Sequence, residues 1–371
     1  MLTTDTDVAI IGGGIIGMAV ARELAGAGRR VVLLESGSCG GEASSAAAGL
    51  LQPFAEEPQP GPYLEASRQA LRDWPHWSAE VARESGWEIE LSDWGTLFVA
   101  YDEGEAEHGR GAAASAKLAK EEVVELDARR VKDLVPQLAP DPLSAIHLPF
   151  EKRVDNVGFC AALAEACRQL GVDIHEQSPV SEASLAADHA VVESREWRGS
   201  CSQLVLAAGA WSGGISGLPS FPIRPWRGQI IVYENCPWDW SGAIRCGRRY
   251  AVRRGEDELL IGSTLENAGF DKSTTAAAVD DLLAVAAKLF PMLSGREPDR
   301  RYAGLRPGSS DERPLLGRWR DSPLWLATGH FRSGILLAPW SARSLAGWML
   351  ERESEGENPF TPNRFSGLAP A

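Results

Sequence analysis

The sequence predicts an α/β fold in which a Rossmann-like nucleotide-binding domain carries an inserted α+β domain built on an antiparallel sheet. The chain has 371 residues, enough for two cores. Residues 6–35 read as strand, helix and strand. Segments typical of buried parallel strands are then interrupted twice by alternating segments typical of antiparallel strands. We assign residues 1–85, 151–218 and 302–371 to the nucleotide-binding domain and residues 86–150 and 219–301 to the substrate-binding domain.

Composition and charge exclude several classes of function. Hydrophobic residues make up 44% and charged residues 24% of the chain, as in ordinary globular proteins. No apolar run approaches the roughly 18 residues of a membrane span, and no basic leader precedes the first strand, so we expect a cytoplasmic protein. The net charge of −14 argues against nucleic acid as a partner and means that an anionic substrate needs a local arginine. The six cysteines and six histidines show no metal-ligand spacing, so no metal site is expected.

The first strand–helix–strand unit carries a glycine motif. Gly12, Gly14 and Gly17 have the spacing G-x-G-x-x-G, between a strand at residues 6–11 and a helix at 15–27. In this position the glycines permit a tight turn, close approach of a pyrophosphate and close packing of helix on strand. The helix N-terminus offers free N–H groups to phosphate. The unit therefore predicts a dinucleotide-binding cradle.

Glu35 ends the second strand, at residues 30–35, about eighteen residues after the motif. An acidic residue there accepts hydrogen bonds from the adenosine ribose and disfavours a 2′-phosphate. This pattern fits NAD and FAD equally, so it does not choose between them.

The remaining elements continue the two patterns. Helices are predicted over residues 63–84, 104–127, 157–170, 276–290 and 334–351. Strands are predicted over residues 95–101, 171–174, 204–208, 228–233, 249–253, 258–262 and 324–327. Alternating strands dominate from about 220 to 303, which places the antiparallel sheet there.

Motifs along most of the chain resemble the D-amino acid oxidase superfamily of flavoproteins, and within it the thiamine-pathway glycine oxidases. The N-terminal matches are Ile11–Gly17, Glu35 and Glu42–Leu51, and the central ones are Val205–Ser212 and Arg227–Gln229. The most specific matches lie near the C-terminus, at Gly304–Gly308, Arg313–Gly317 and Gly329–Pro339. The resemblance runs from residue 8 to 343, and it implies a nucleotide domain plus a substrate domain on an antiparallel sheet.

This resemblance implies FAD as the cofactor. Covalent relatives tether the flavin through a cysteine after the arginine motif, and residues 307–317 contain none, so FAD is expected to be noncovalent. The helix that starts near Ser333 would direct its positive end at the flavin. The expected cofactor-binding residues are Gly12, Gly14, Ile15, Ile16, Gly17, Glu35, Ser36, Ala43, Ser44, Ser45, Ala48, Gly49, Leu51, Val180, Ala208, Gly209 and Trp211.

The resemblance also implies the residues that meet the substrate. Arg306 matches the arginine that binds the substrate carboxylate, Tyr250 the tyrosine that assists it, and Arg332 an arginine beside the flavin. For each, a salt bridge or ordinary packing is the structural alternative. Leu50 and Leu265 match apolar pocket positions, where core packing is equally compatible. Arg248 stands where a histidine is expected, which leaves the polarity of the pocket open.

The expected reaction is oxidation of glycine and other small amines, such as sarcosine and small D-amino acids, to an imine. Hydride passes to flavin N5, and O₂ reoxidises the flavin and leaves as hydrogen peroxide. Two alternatives stay open: a dehydrogenase that passes electrons to another acceptor, and a flavin-binding subunit of a hetero-oligomeric amine dehydrogenase. The expected partners are a small amine and O₂, and the resemblance implies a homo-oligomer such as a tetramer.

Overall fold

The fold, seen in a computed structural model, is described for residues 5–365 except 57, 58, 237, 239 and 256. The parts of the expected domains that fall on other residues lie outside this description. The described strands are β1 (Thr6–Ile11), β2 (Val31–Leu34), β3 (Leu50–Leu51), β4 (Leu91–Ser92), β5 (Thr96–Ala100), β6 (Val124–Leu126), β7 (Ser144–Leu148), β8 (Lys152–Val154), β9 (Asp173–His175), β10 (Val180–Leu185), β11 (Ala190–Ser194), β12 (Arg198–Leu206), β13 (Ile223–Tyr233), β14 (Ala243–Cys246), β15 (Arg249–Arg254), β16 (Glu258–Gly262), β17 (Arg300–Ser309), β18 (Leu315–Arg318) and β19 (Leu324–Thr328).

The described α-helices are α1 (Ile15–Gly26), α2 (Ala43–Ala46), α3 (Pro53–Glu56), α4 (Pro62–Ser85), α5 (Glu103–Leu118), α6 (Ala128–Leu134), α7 (Asn156–Gln169), α8 (Ala276–Leu289) and α9 (Gly334–Met349). Short 3₁₀ turns lie at Gly209–Trp211, Pro291–Leu293 and Pro362–Phe365. Within the described ranges, none of these helices is long and apolar enough to cross a membrane. The same residues contain no cluster of His, Cys, Asp or Glu that could hold a metal ion.

A parallel sheet with strand order β9–β2–β1–β12–β19 forms the first layer. Its central strands are apolar on both faces because both faces are covered. Val8 and Ile10 of β1 pack with α1, α4, α7 and α9, whereas Ala9 and Ile11 join the opposite core. Strands β10 and β11 extend one edge antiparallel, and β18 pairs antiparallel with β19. The predicted Rossmann-like layer is confirmed.

An antiparallel sheet with strand order β17–β13–β16–β15–β14–β5–β7–β6 forms the second large layer, in which only the β14–β5 pair is parallel. Strands β13 and β17 pair from Ile223 opposite Ser309 to Val232 opposite Arg300. Alternate residues point to opposite faces. Ile231 packs toward the core formed with α8, and Ile230 toward the face that carries Tyr250. The predicted antiparallel sheet is confirmed, and a smaller sheet, β3–β8–β4, lies beside it.

Several element boundaries differ from the prediction; for example, β12 begins at Arg198 and β13 at Ile223, before the predicted residues 204 and 228. The helix expected over residues 104–127 is wrong in its second half, because α5 ends at Leu118 and β6 begins at Val124. Lys120 adopts a φ of +62°, and the Glu121 N–H reaches back to the Ala116 carbonyl, which closes the helix. Strand β17 also continues past residue 302, so the antiparallel sheet includes residues that we assigned to the nucleotide domain.

Candidate active site

A cavity of about 1070 Å³ lies between the carboxyl ends of the parallel strands and one face of the antiparallel sheet. Ligand pockets commonly measure about 300–1,000 Å³, so this cavity suits a long ligand. Its walls include the residues after β1, β2 and β12, at Gly12, Glu35 and Ala208. Open α/β sheets bind ligands at these carboxyl ends.

The glycine motif makes the turn that opens this cavity. Gly12 has a φ of +110°, and a β-carbon there would lie 2.4 Å from the carbonyl oxygen of Ala207. A β-carbon on Gly17 would lie 1.9 Å from the carbonyl oxygen of Gly12, so helix and turn touch through backbone alone. Gly14 is the N-cap of α1 and provides no side-chain cap. The positive end of α1 is therefore directed at the cavity, where it suits a phosphate.

Glu35 is held in place at the end of β2. Its carboxylate accepts hydrogen bonds from the N–H groups of Gly13 and Gly37, both at 2.7 Å. The residue is 8% exposed and lines the cavity. This position, beside the glycine turn that leads into α1, is where an adenosine ribose lies in a dinucleotide site.

Most of the expected cofactor-binding residues line the cavity. They are Gly12, Gly14, Ile15, Ile16, Glu35, Ser36, Ala43, Ser44, Val180, Ala208, Gly209 and Trp211. The others, which support the walls from behind, are Gly17, Ser45, Ala48, Gly49 and Leu51.

Four of these residues are kept out of the cavity wall for different reasons. Leu51 is fully buried and Ala48 is 8% exposed, both in hydrophobic cores. The Ser45 hydroxyl bonds the carbonyl of Gly40. Gly49 has a φ of +70°, and a β-carbon there would collide with the Val154 carbonyl oxygen.

Only the glycine of the motif Arg227–Gln229 faces the cavity. The neighbouring side chains are directed to the opposite face of β13, where Arg227 pairs with Glu266 and Asp271. Gln229 also donates to Glu266. Gly228 lines the cavity instead.

Arg306 and Tyr250 lie over glycines on the cavity face of the antiparallel sheet. A β-carbon on Gly228 would lie 2.1 Å from Nη1 of Arg306, and one on Gly262 would lie 2.6 Å from Cζ of Tyr250. The absence of side chains beneath them allows the guanidinium and the phenol to lie flat on the strands. Both residues line the cavity, so the structure brings the two together.

Arg306 is available to an anionic ligand. Its Nη2 donates to Oγ of Ser263 at 2.6 Å and its Nη1 to the carbonyl of Thr264 at 3.2 Å. Within the described ranges it forms no ion pair with an acidic side chain. Burial lowers the pKa of Arg306, which reflects the cost of a cation with little solvent around it. A bound carboxylate would offset that cost.

Arg332 lies at the same cavity, between β19 and α9. Its Nη1 is 3.8 Å from Oε2 of Glu56, and its guanidinium carbon is 4.8 Å from the ring centre of Phe331. Its side chain is 29% exposed. The ion pair is loose, so the charge of Arg332 still acts on the cavity.

His330 is a cavity-lining residue that the sequence did not single out. It is 2% exposed, and its Nε2 lies 3.0 Å from Oγ of Ser341. Burial lowers the pKa of His330 to about 3, so the imidazole is neutral at physiological pH.

Leu50, Leu265 and Arg248 do not line the cavity. Leu50 packs against the core that contains Tyr250, one layer behind the surface. Leu265 is 39% exposed. Arg248 is exposed in the turn between β14 and β15. A role for these three residues in shaping the substrate pocket stays a prediction.

Two charged residues near the site were missed by the sequence analysis. Arg245 is 3% exposed on β14 and donates hydrogen bonds to Gln52 and to Glu56. An arginine within the apolar run Ala243–Cys246 is a signal that could have been read, because a buried charge needs a partner. Glu56 gave no such signal, since it precedes a polar loop.

A family model described as "DAO: FAD dependent oxidoreductase" matches residues 7–348. The chain belongs to this family. The predicted D-amino acid oxidase resemblance and the predicted class of enzyme are thereby confirmed, and FAD is its cofactor.

Curated relatives and solved structures agree with this family assignment. It is 36% identical to a glycine oxidase of Pseudomonas aeruginosa, over 93% of this chain and 95% of the relative. The crystal structure of glycine oxidase from Geobacillus kaustophilus matches with a TM-score of 0.89 and 30% identity, over 98% of this chain and 99% of that one. The structure of an iminodiacetate oxidase from Chelativorans matches with a TM-score of 0.84 and 26% identity, over 96% and 98% of the two chains.

The residues present fit an FAD molecule in this oxidoreductase. A β-carbon on Gly12 or Gly17 would collide with the backbone of the turn, and Gly14, which lies in the cavity wall, leaves room for a pyrophosphate to approach. Gly334 and Ile335, at the N-terminus of α9, line the same cavity near Arg332. A helix N-terminus there would stabilise negative charge on a bound flavin ring.

Proposed function

We propose that this FAD-dependent oxidoreductase oxidises glycine and other small amines, such as sarcosine and small D-amino acids. The observation that carries the proposal is Arg306, a partly buried arginine over Gly228 with no acidic partner among the described residues, at the wall of the cofactor cavity. Glycine and iminodiacetate, which appear in the names of the relatives, both carry an amine one carbon from a carboxylate. The carboxylate of such a substrate can bind one arginine while its amine-bearing carbon lies next to an oxidising group.

The carboxylate of the substrate would bind the guanidinium of Arg306, with the hydroxyl of Tyr250 beside it. A planar guanidinium can bind a carboxylate through two parallel hydrogen bonds, which fixes the orientation of Cα. Arg332 adds positive charge at the same wall of the cavity. Orientation is the main contribution of the protein to such a reaction.

The Cα–H bond of the neutral amine would break with both of its electrons leaving as a hydride, the nitrogen lone pair would form the new C=N bond, and loss of an N–H proton would give the neutral imine. A bound FAD would supply the hydride acceptor, and O₂ would then take the two electrons together with two protons and leave as hydrogen peroxide. Water hydrolyses the imine to the 2-oxo acid and ammonia. His330 cannot act as a cationic acid here, because burial keeps its pKa at about 3.

A panel of amines, with hydrogen peroxide as the measured product, tests this function. Glycine-dependent peroxide release is expected; reduction of an artificial acceptor without peroxide would favour the dehydrogenase, and no bleaching of the flavin by any amine would favour a binding subunit. Arg306→Ala should raise KM for glycine strongly while FAD stays bound. Arg301→Ala, an exposed arginine on the same strand, is the matched control and should leave KM unchanged.

Other expectations remain predictions with their own tests. No cysteine lines the described cavity, so acid precipitation should leave FAD in the supernatant. Homo-oligomerisation is checked by light scattering and the cytoplasmic location by fractionation. The division into two domains at the predicted boundaries stays a proposal, as does a role for the imine in thiazole synthesis.

A further inference from the structure

Arg245 is a buried arginine that contacts the cavity residue Tyr250 and the acidic residue Glu56. On β14 it stands opposite Tyr250 in the pairing with β15, and its guanidinium carbon lies 5.6 Å from the centre of the Tyr250 ring. Its Nε donates to Oε1 of Gln52 at 2.7 Å, and its Nη2 donates to Glu56. It does not itself line the cavity. Arg245 therefore acts on a ligand only through other side chains.

Glu56 is an anion close to Arg332, and the charge of Arg306 also acts on it. One carboxylate oxygen accepts a hydrogen bond from Arg245, and the other lies 3.8 Å from Arg332. Burial raises the pKa of the Glu56 carboxyl, but the charges of Arg245, Arg332 and Arg306 outweigh burial and hold that pKa below its usual value. Glu56 is thus ionised at neutral pH. A negative charge in this place competes with a substrate carboxylate for the same cations.

We propose that Arg245 is a positioning residue that holds the carboxylate of Glu56 away from Arg306 and Arg332, so that both stay available to the substrate. The inference rests on the proposed function. The hydrogen bond of Glu56 to Arg245 is much closer than its contact with Arg332, so Arg245 determines where the carboxylate points. Without Arg245, Arg332 becomes the closest cation, and Glu56 would form a tight pair with it.

A double-mutant cycle tests this arrangement, with acetate as the probe and calorimetric titration of the FAD-loaded protein as the measurement. Arg245→Met should weaken acetate binding by about tenfold or more, a size that charges in direct contact commonly produce. Glu56→Gln added to Arg245→Met should restore the affinity to within about threefold of the wild type, because the competing charge is gone. For glycine oxidation, Arg245→Met should raise KM more than it lowers kcat.

Three variants control for simple loss of structure. Arg22 and Glu84 form another buried ion pair, at 2.6 Å between α1 and α4, outside the cavity lining. Arg22→Met with Glu84→Gln should lower stability and leave acetate affinity unchanged. Arg245→Lys keeps the charge and should bind acetate nearly as well as the wild type. Arg245→Gln, which can still bond Gln52, replaces Arg245→Met if the methionine variant does not fold.

The outcomes separate this inference from the proposed function. If Arg245→Met weakens acetate binding as much in a protein that already carries Glu56→Gln as it does in the wild type, Glu56 does not compete with the ligand and the inference is overturned. If Arg306→Ala binds acetate as tightly as the wild type, Arg306 is not the carboxylate anchor and the proposed function fails first. Restoration by the second substitution, together with loss of binding in Arg306→Ala, supports both.

Discussion

Gly228→Ala should damage substrate binding while leaving the fold and the cofactor in place. The added methyl carbon would lie 2.1 Å from Nη1, 2.4 Å from Nη2 and 2.5 Å from Cζ of Arg306. These atoms are the far end of a flexible side chain, so the guanidinium can move and the strands need not. The stability cost is therefore small, whereas the position of the guanidinium changes.

The magnitude follows from that displacement. Nη1 has to move from 2.1 Å to an ordinary contact of about 3.4 Å, which lifts the guanidinium off the sheet. A carboxylate can then keep only one of the two parallel hydrogen bonds. A hydrogen bond to a charged group contributes about 1.5–3 kcal/mol. We therefore expect KM for glycine, and Kd for acetate, to rise about tenfold to a hundredfold.

Steady-state peroxide assays with glycine give KM, and the flavin absorbance of the purified protein reports the bound cofactor. Gly111→Ala is the matched control, because a β-carbon there meets nothing within 4 Å. It should keep both KM and FAD. The reasoning is refuted if Gly228→Ala binds FAD and shows a KM within about twofold of the wild type. In that case the substrate does not bind the guanidinium of Arg306 in the position that the structure gives it.

Three further outcomes are expected. Gly17→Ala would place a methyl 1.9 Å from the Gly12 carbonyl oxygen, so the protein should lose FAD absorbance, unlike Gly111→Ala. Burial raises the pKa of Glu151 from 4.5 to about 7, so the folded state holds this proton more tightly than the unfolded state does. As the pH rises between these values, the free energy of unfolding of the wild type should therefore fall by ~1.4 kcal/mol per pH unit relative to Glu151→Gln. Urea unfolding measures this, and a difference that stays constant with pH would contradict the prediction. Burial lowers the pKa of His330 from 6.5 to about 3, so its contribution has the opposite sign: relative to His330→Gln, the wild type should lose stability as pH falls below 6.5.

The cofactor end of the site was predictable because local sequence determines it. Gly12, Gly14 and Gly17 are constrained by a turn within one strand–helix unit, and Glu35 follows on the next strand. The buried parallel strands and the alternating antiparallel strands also show directly in their apolar patterns.

The substrate end depends on contacts between distant segments, which no local pattern records. Glu56 meets Arg245 across 189 residues of sequence. Leu265 and Arg248 were placed by motif position, but the structure puts neither of them among the residues that line the cavity. The end of α5 was missed because Lys120 takes a left-handed conformation, which lysine sequences do not signal.

The walls of the cavity have a consequence for biosynthesis. They draw on residues from Ile11 to Ile335, and β17, which brings Arg306, pairs with a strand that precedes it by more than sixty residues. Domains fold as units while the ribosome still extends the chain from its N-terminus. The glycine turn thus emerges first but has no opposite wall until β17 and β19 are made. FAD loading therefore has to wait until β17, β19 and the start of α9 have been synthesised.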